Sequence, residues 1–270
     1  MYEFWHTLFR DYDGGNIWEI KLFNVWHFLY IILIFGLTAL LTWRGTVKQD
    51  KRTRTLNVIA GVIAGFYLLD FMIQPFMTDS FSMNIDKLPF HICIVMCPLI
   101  LLVQFCPKAK WLKMPVTVFS LVASLMYITY PGTALGGITC YSYRVVQTFI
   151  YHGLLFAYGF LNLAWGVVEL KWSRIWHCAV VLVCLELWAG LGNFSYNHGN
   201  VHYDWLFITG STYPFIPKPL MPVVVFAAVM GMVAVIYALY FLARRLFCKK
   251  TAETELTVSE AGPAEEKPEE

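Results

Sequence analysis

The sequence predicts an all-α polytopic membrane protein with seven transmembrane helices, its N-terminus outside and its C-terminus cytoplasmic. Three observations carry that prediction. The composition is 58% hydrophobic and only 14% charged, the profile of a chain that lives in lipid and not of a soluble enzyme. Seven apolar stretches recur along it, each long enough to cross about 30 Å of hydrocarbon at about 1.5 Å per helical residue. Fifteen of the twenty Lys and Arg residues then fall on alternate connections, and cytoplasmic loops keep the positive excess.

The stretches run over 24–43, 56–77, 88–106, 111–130, 145–170, 175–193 and 220–243. Arg44, Lys48, Lys51, Arg52 and Arg54 follow the first. Lys108, Lys110 and Lys113 follow the third, and Lys171 and Arg174 the fifth. Arg244, Arg245, Lys249, Lys250 and Lys267 follow the seventh. The other side holds only Arg10, Lys21, Lys87, Arg144 and Lys218. Residues 1–23 lack a basic start and a continuous apolar run, so they are expected to be no cleaved leader but an external segment. Phe4, Trp5, Leu8 and Phe9 share a helical stripe that suits an interfacial helix. The seven-helix domain is expected over 24–247. The last twenty residues carry seven glutamates against one lysine, so 248–270 is expected to be a disordered acidic cytoplasmic tail.

Several functions are excluded early. No P-loop, dinucleotide-binding glycine pattern, zinc-finger spacing or GxSxG elbow is present, and nothing supports nucleic-acid binding. No cofactor is implied. Of the seven cysteines only Cys140 falls clearly in an external loop, so no disulfide framework is expected. A retinal protein needs a lysine on its last helix, and 220–243 has none.

The intramembrane polar residues gather at one depth. Six of the seven histidines (His6, His27, His91, His152, His198 and His202) fall on the outer side or in the outer half. His27 opens the first span. Asp70 and Gln74 lie one turn apart near the outer end of the second, with Tyr67 on the same face. His91 begins the third. Arg144, Gln147 and His152 open the fifth. On the sixth, Glu186, Gly190, Asn193 and Asn197 follow a 4-3-4 spacing that aligns them on one face. A charge near the bilayer centre costs about 2.5–3.5 kcal/mol on insertion scales. Asp70 and Glu186 are therefore expected to face the bundle interior. A packing network and an outward-facing polar cavity both satisfy that requirement. Five helices sending unlike ionisable groups to one level favour the cavity.

The external loop over 195–218 is longer than the usual connection and rich in His, Asn and aromatic residues, the pattern of a lid or binding loop. His198, His202 and Asp204 have metal-compatible side chains, but two loop histidines four apart are more often unligated, and no metal is expected. The HxxxxD acyltransferase pattern also fails, since Tyr203 stands five residues after His198.

Four segments resemble the YwaF-like integral membrane proteins of bacteria: LFNVWHFLYIIL, LPFHIC, RVVQTFIYHG and NFSYNHGNVHYDWL. The likeness spans most of residues 20–245 and implies a multi-pass protein of a bacterial plasma membrane. It further implies a distant relationship to eukaryotic multi-pass membrane acyltransferases that handle ether phospholipids. In that group a cysteine directly precedes the third-helix histidine. Here Phe90 precedes His91, so acyl-cysteine chemistry does not carry over.

Two functions follow as expectations. The first is a lipid-active hydrolase or group or acyl transferase. His91 or His152 would act as general base, Asp70 or Glu186 would orient that imidazole, and Arg144, Gln147, Asn193, Asn197 and His27 would hold the substrate. Membrane lipids are then the partners. The second is a non-enzymatic binder or transporter that uses the same cavity for a small polar solute or a lipid headgroup.

Overall fold

A computed structural model describes residues 18–77, 85–135, 137–198, 202–209 and 215–260. Among them are seven α-helices and no strand: α1 Val25–Val47, α2 Arg52–Met77, α3 Ile92–Phe105, α4 Lys113–Thr129, α5 Tyr143–Ala164, α6 Ile175–Tyr196 and α7 Met221–Glu260. Five of the seven lie in segments long and apolar enough to cross a membrane: Val25–Val47, Gln49–Ile73, Pro107–Thr129, Trp172–Tyr196 and Lys218–Leu246.

The other two differ in kind. α3 has 14 residues, about 21 Å at 1.5 Å per residue, and so falls short of the hydrocarbon thickness. Its start is displaced from 88 because Pro89 disfavours helical geometry at Leu88, and His91 takes an extended cap conformation at φ −79° and ψ 145°. α5 is long but polar, and it is buried by protein. Tyr151, His152, Tyr158 and Asn162 are all inaccessible along it. Ser142 caps its N-terminus, the hydroxyl accepting from the Val145 N–H. It ends at Gly166, whose φ of +68° is the left-handed conformation that closes helices.

α5 forms the axis. It packs along α4 and also against α2 and α1, while α3 fills the gap between α2 and α4. The α4–α5 contact is close because Gly159 lacks a side chain. A Cβ there would stand 2.9 Å from the Thr117 carbonyl. α6 and α7 pack on each other and dock through α4. The outward faces of α1, α2, α6 and α7 carry exposed large apolar side chains, among them Ile32, Met72, Leu187 and Val223. A bundle with its polar helix at the centre and apolar faces outside suits a lipid solvent.

The segment before α1 is tied in. Ile20 N–H donates to the Ile138 carbonyl, Cys140 N–H donates to Trp18, and Trp18 stacks on Trp26 at 4.9 Å. The interfacial stripe expected over Phe4–Phe9 lies outside the described residues. At the other terminus the backbone is helical as far as Glu260. The extension expected to be disordered from 248 thus continues α7 through 251–260, and 261–270 lies outside the described residues.

Candidate functional site

One end of the bundle gathers ionisable groups from three helices. Asp70, near the end of α2, is buried, with its side chain only 4% exposed. Its Oδ2 lies 2.7 Å from Lys87 Nζ. Lys87 belongs to the short turn Ile85–Lys87, which is held against α2 by the Tyr67 hydroxyl donating to the Lys87 carbonyl at 3.1 Å. The Tyr143 hydroxyl, at the start of α5, also acts on Asp70. The Lys87 ammonium reaches electrostatically to the Cys93 thiol on α3 and to the His152 ring on α5. Tyr151 closes the group by donating to the Cys93 carbonyl at 3.0 Å.

His152 is buried and oriented twice. Its Nδ1 lies 2.8 Å from the Thr148 carbonyl. A carbonyl only accepts, so Nδ1 carries the hydrogen and Nε2 is left as the basic nitrogen. The ring also lies flat on Tyr127, with centroids 3.9 Å apart at an interplanar angle of 11°. The assembly is therefore a buried carboxylate paired with a partly exposed ammonium, near an imidazole of fixed tautomer, with phenols and a thiol around it. Such a group offers an imidazole nitrogen at His152 and positive charge at Lys87.

The remaining predicted residues separate into distinct places. His27 is fully buried, and both its ring nitrogens are occupied. Phe23 N–H donates to Nδ1 at 3.0 Å, and Nε2 lies 2.8 Å from the Ile128 carbonyl. It ties the start of α1 to the end of α4. Gln147 is buried, and its Oε1 accepts from the Thr148 hydroxyl. Arg144 is half-buried one residue from Tyr143. His91 faces Phe207 with ring centroids 6.1 Å apart.

Asn193 and Asn197 act on the loop after α6. The Asn193 amide accepts from Trp205 N–H at 2.9 Å and donates to the Trp205 carbonyl at 3.1 Å. Asn197 makes the same two-way bond with Tyr203. These clamps hold a strap in which Leu206 and Phe207 have φ of 61° and 59°, a left-handed conformation uncommon for side chains of this size. Phe90 supports the strap from below, with ring centroids 4.7 Å from Trp205. Gly192 admits Phe90, since a Cβ there would stand 2.5 Å from its ring. Glu186 lies deeper on α6, which packs on α4, α7 and the 205–207 turn. Asp70 and His152 belong to α2 and α5.

Lys87 and Tyr143 belong to this group and were not among the site residues that sequence reasoning named. A signal existed for Lys87, one of only five basic residues on the sparsely charged side. Among the described residues no group of three or more His, Cys, Asp or Glu side chains could hold a metal.

The description "TMEM164 family" belongs to the family model that matches the chain, over residues 22–243. Neither a curated protein nor a solved structure matches it.

Proposed function

We propose, for a chain that belongs to the TMEM164 family of multi-pass membrane proteins, a lipid-active hydrolase or group or acyl transferase whose reaction centre is the Asp70–Lys87–His152 group. The observation that carries the reading is the Asp70–Lys87 pair, 2.7 Å apart with its carboxylate buried, at the same end of the bundle as His152, an imidazole of fixed tautomer. Isolated packing needs no such convergence, and buried ion pairs are costly unless well compensated.

In this mechanism His152 Nε2 removes the proton from a water or a substrate hydroxyl, that oxygen attacks an ester carbonyl or phosphoryl group, and the bond to the ester's leaving oxygen then breaks, the departing alkoxide taking the proton from His152. Lys87, held by Asp70, stabilises the negative charge that develops, with Tyr143 beside it. Arg144 and Gln147, on the same end of α5, hold the headgroup, for which the planar guanidinium fork is suited. His91 and the strap border the approach, and Asn193 and Asn197 position the strap. The chain crosses the bilayer seven times, α5 shielded by the other helices and the short α3 completing its pass with the non-helical residues before it, which protein surrounds. The basic loops are cytoplasmic and the site opens outward in a bacterial plasma membrane.

The test is turnover of labelled phospholipids by purified protein, with release or exchange of an acyl or headgroup moiety. His152→Gln is expected to abolish it, and Cys93→Ala to retain it. Unchanged turnover in His152→Gln overturns the assignment, and loss in Cys93→Ala replaces hydroxyl attack with a thiol route. No turnover across a broad lipid panel favours the binder or transporter instead. Reagent labelling of single-cysteine variants should place position 52 and position 202 on opposite sides. Labelling of both from one side removes the orientation.

A further inference from the structure

The Lys87 ammonium reaches Asp70 from one end of a short tether, and the other end is fastened to a different part of the bundle. Leu88, Pro89 and Phe90 join the Ile85–Lys87 turn to the start of α3. The segment is stiff for covalent reasons. Proline fixes its own φ at about −65° and confines the residue before it, here Leu88, to extended geometry. Two backbone bonds tighten it further. Leu88 N–H donates to the Ile85 carbonyl at 3.0 Å, and Phe90 N–H donates to the Leu88 carbonyl at 2.7 Å. A segment this short and constrained passes a displacement on and does not absorb it.

The first end is pinned to α2. The Lys87 carbonyl accepts from the Tyr67 hydroxyl at 3.1 Å, and Lys87 Nζ lies 2.7 Å from Asp70 Oδ2. The second end is pinned to α6. The Trp188 indole N–H donates to the Pro89 carbonyl at 2.6 Å. The Phe90 ring fills the notch at Gly192, its centroid 5.2 Å from that of Trp188. On its other side Phe90 meets Trp205 of the strap, at 4.7 Å between centroids. Asn193 in turn holds Trp205 by both its N–H and its carbonyl. α2 packs chiefly on α3 and α5, whereas α6 packs chiefly on α4, α7 and the strap. The tether therefore bridges two units that the main helix contacts keep apart.

We propose that α6 and the strap set the position of the Lys87 ammonium through this tether, with Phe90, Trp188 and Asn193 as positioning residues for the Asp70–Lys87 pair. With the strap seated, Phe90 is held in the Gly192 notch and the ammonium is held on the carboxylate. With the strap released, Phe90 loses one wall of its socket, and the freedom passes through Pro89 and Leu88 to Lys87. Whatever lifts or seats the strap then weakens or restores the positive charge at the reaction centre. That last consequence rests on the reaction proposed above. The tether does not, and its test reads the pair without reference to turnover, so the two can fail separately.

The experiment is pulsed acetylation of the purified full chain, in a nonionic detergent, with N-hydroxysuccinimidyl acetate. Mass spectrometry reads the rate at Lys87, whose side chain is 25% exposed, relative to that at the exposed Lys218. Asp70→Leu frees the ammonium outright and sets the upper rate. Trp188→Phe deletes the bond to Pro89 and keeps a ring against Phe90. Asn193→Ala deletes both bonds to the strap. Each of the last two is expected to raise the relative Lys87 rate about threefold or more, as the loss of one or two neutral hydrogen bonds allows. Trp188→Phe also guards against a folding defect in Asn193→Ala, because its aromatic packing is kept. Leu182→Ala cuts a cavity at a fully buried position of the same helix, nearly two turns from Trp188. It should leave the Lys87 rate unchanged, which separates positioning from general loosening. A relative rate unchanged in Asp70→Leu, in Trp188→Phe or in Asn193→Ala, or raised equally by Leu182→Ala, overturns the proposal.

Discussion

Substitution of Lys87 by Met tests whether the Asp70–Lys87 pair is a buried ion pair in the energetic sense. The Asp70 side chain is 4% exposed and the Lys87 side chain 25%, at an Nζ–Oδ2 distance of 2.7 Å. Lys87→Met removes the cation and keeps the length and apolar stem of the side chain. Asp70 then stays buried without its ammonium, its Oδ1 already lacking a hydrogen bond among the described residues, and leaving one partner of a buried pair uncompensated costs about 3–5 kcal/mol. Asp70→Leu should cost less, because the partly exposed Lys87 head can turn to water. The double variant Asp70→Leu with Lys87→Met should recover to within about 1 kcal/mol of the wild type or exceed it, since apolar replacement of a buried pair is often neutral or stabilising. The coupling across the cycle is then about 2 kcal/mol or more. Reversible unfolding in mixed micelles of rising SDS fraction, followed by far-UV circular dichroism, measures all four proteins. If Lys87→Met costs under about 1 kcal/mol, or if the two changes add without coupling, the pair behaves as a surface ion pair. The burial argument then fails, and the reaction centre with it.

Two further outcomes can be checked on the same protein. Asn193→Ala deletes both bonds to the Trp205 backbone and should release the strap. Exchange protection over Trp205–Thr209 is expected to fall by about 10–100-fold, from roughly 1 kcal/mol per bond, and unchanged protection would refute the clamp. The Cys140 thiol lies in the loop before α5, where burial pushes its pKa above the ordinary cysteine value. The folded state therefore holds this proton more tightly than the unfolded chain, and the thiol's stabilising contribution is lost as pH rises. Maleimide labelling of Cys140 should then be slower than that of glutathione at pH 7, with its rate rising only at higher pH. Labelling at the glutathione rate would show the loop to be open.

Much of the candidate site was legible because lipid penalises polar groups. Asp70, His152 and Glu186 stand out against an apolar background, and the 3.6-residue period put Tyr67 and Asp70 on one face and Glu186, Gly190 and Asn193 on another. Their grouping was not legible. His27 reads from sequence as a lone polar residue opening a span, yet its two ring nitrogens are committed to Phe23 and Ile128, partners 4 and 101 positions away. Asn193 and Asn197 read as a binding face and serve as backbone clamps, because the side-chain amide of each matches the N–H and C=O of one strap residue.

The sequence by itself determined the helical class and five long apolar helices, since each depends on local hydropathy and on residues read one at a time. Only the tertiary structure decided that α3 is short and that α5 is a polar axis wrapped by the other helices. It alone joined Lys87 to Asp70 across a turn and set Glu186 apart from both. Those facts depend on which helix packs against which, and hydropathy is blind to that: a span shielded by protein and a span facing lipid can carry similar composition while exposing different faces.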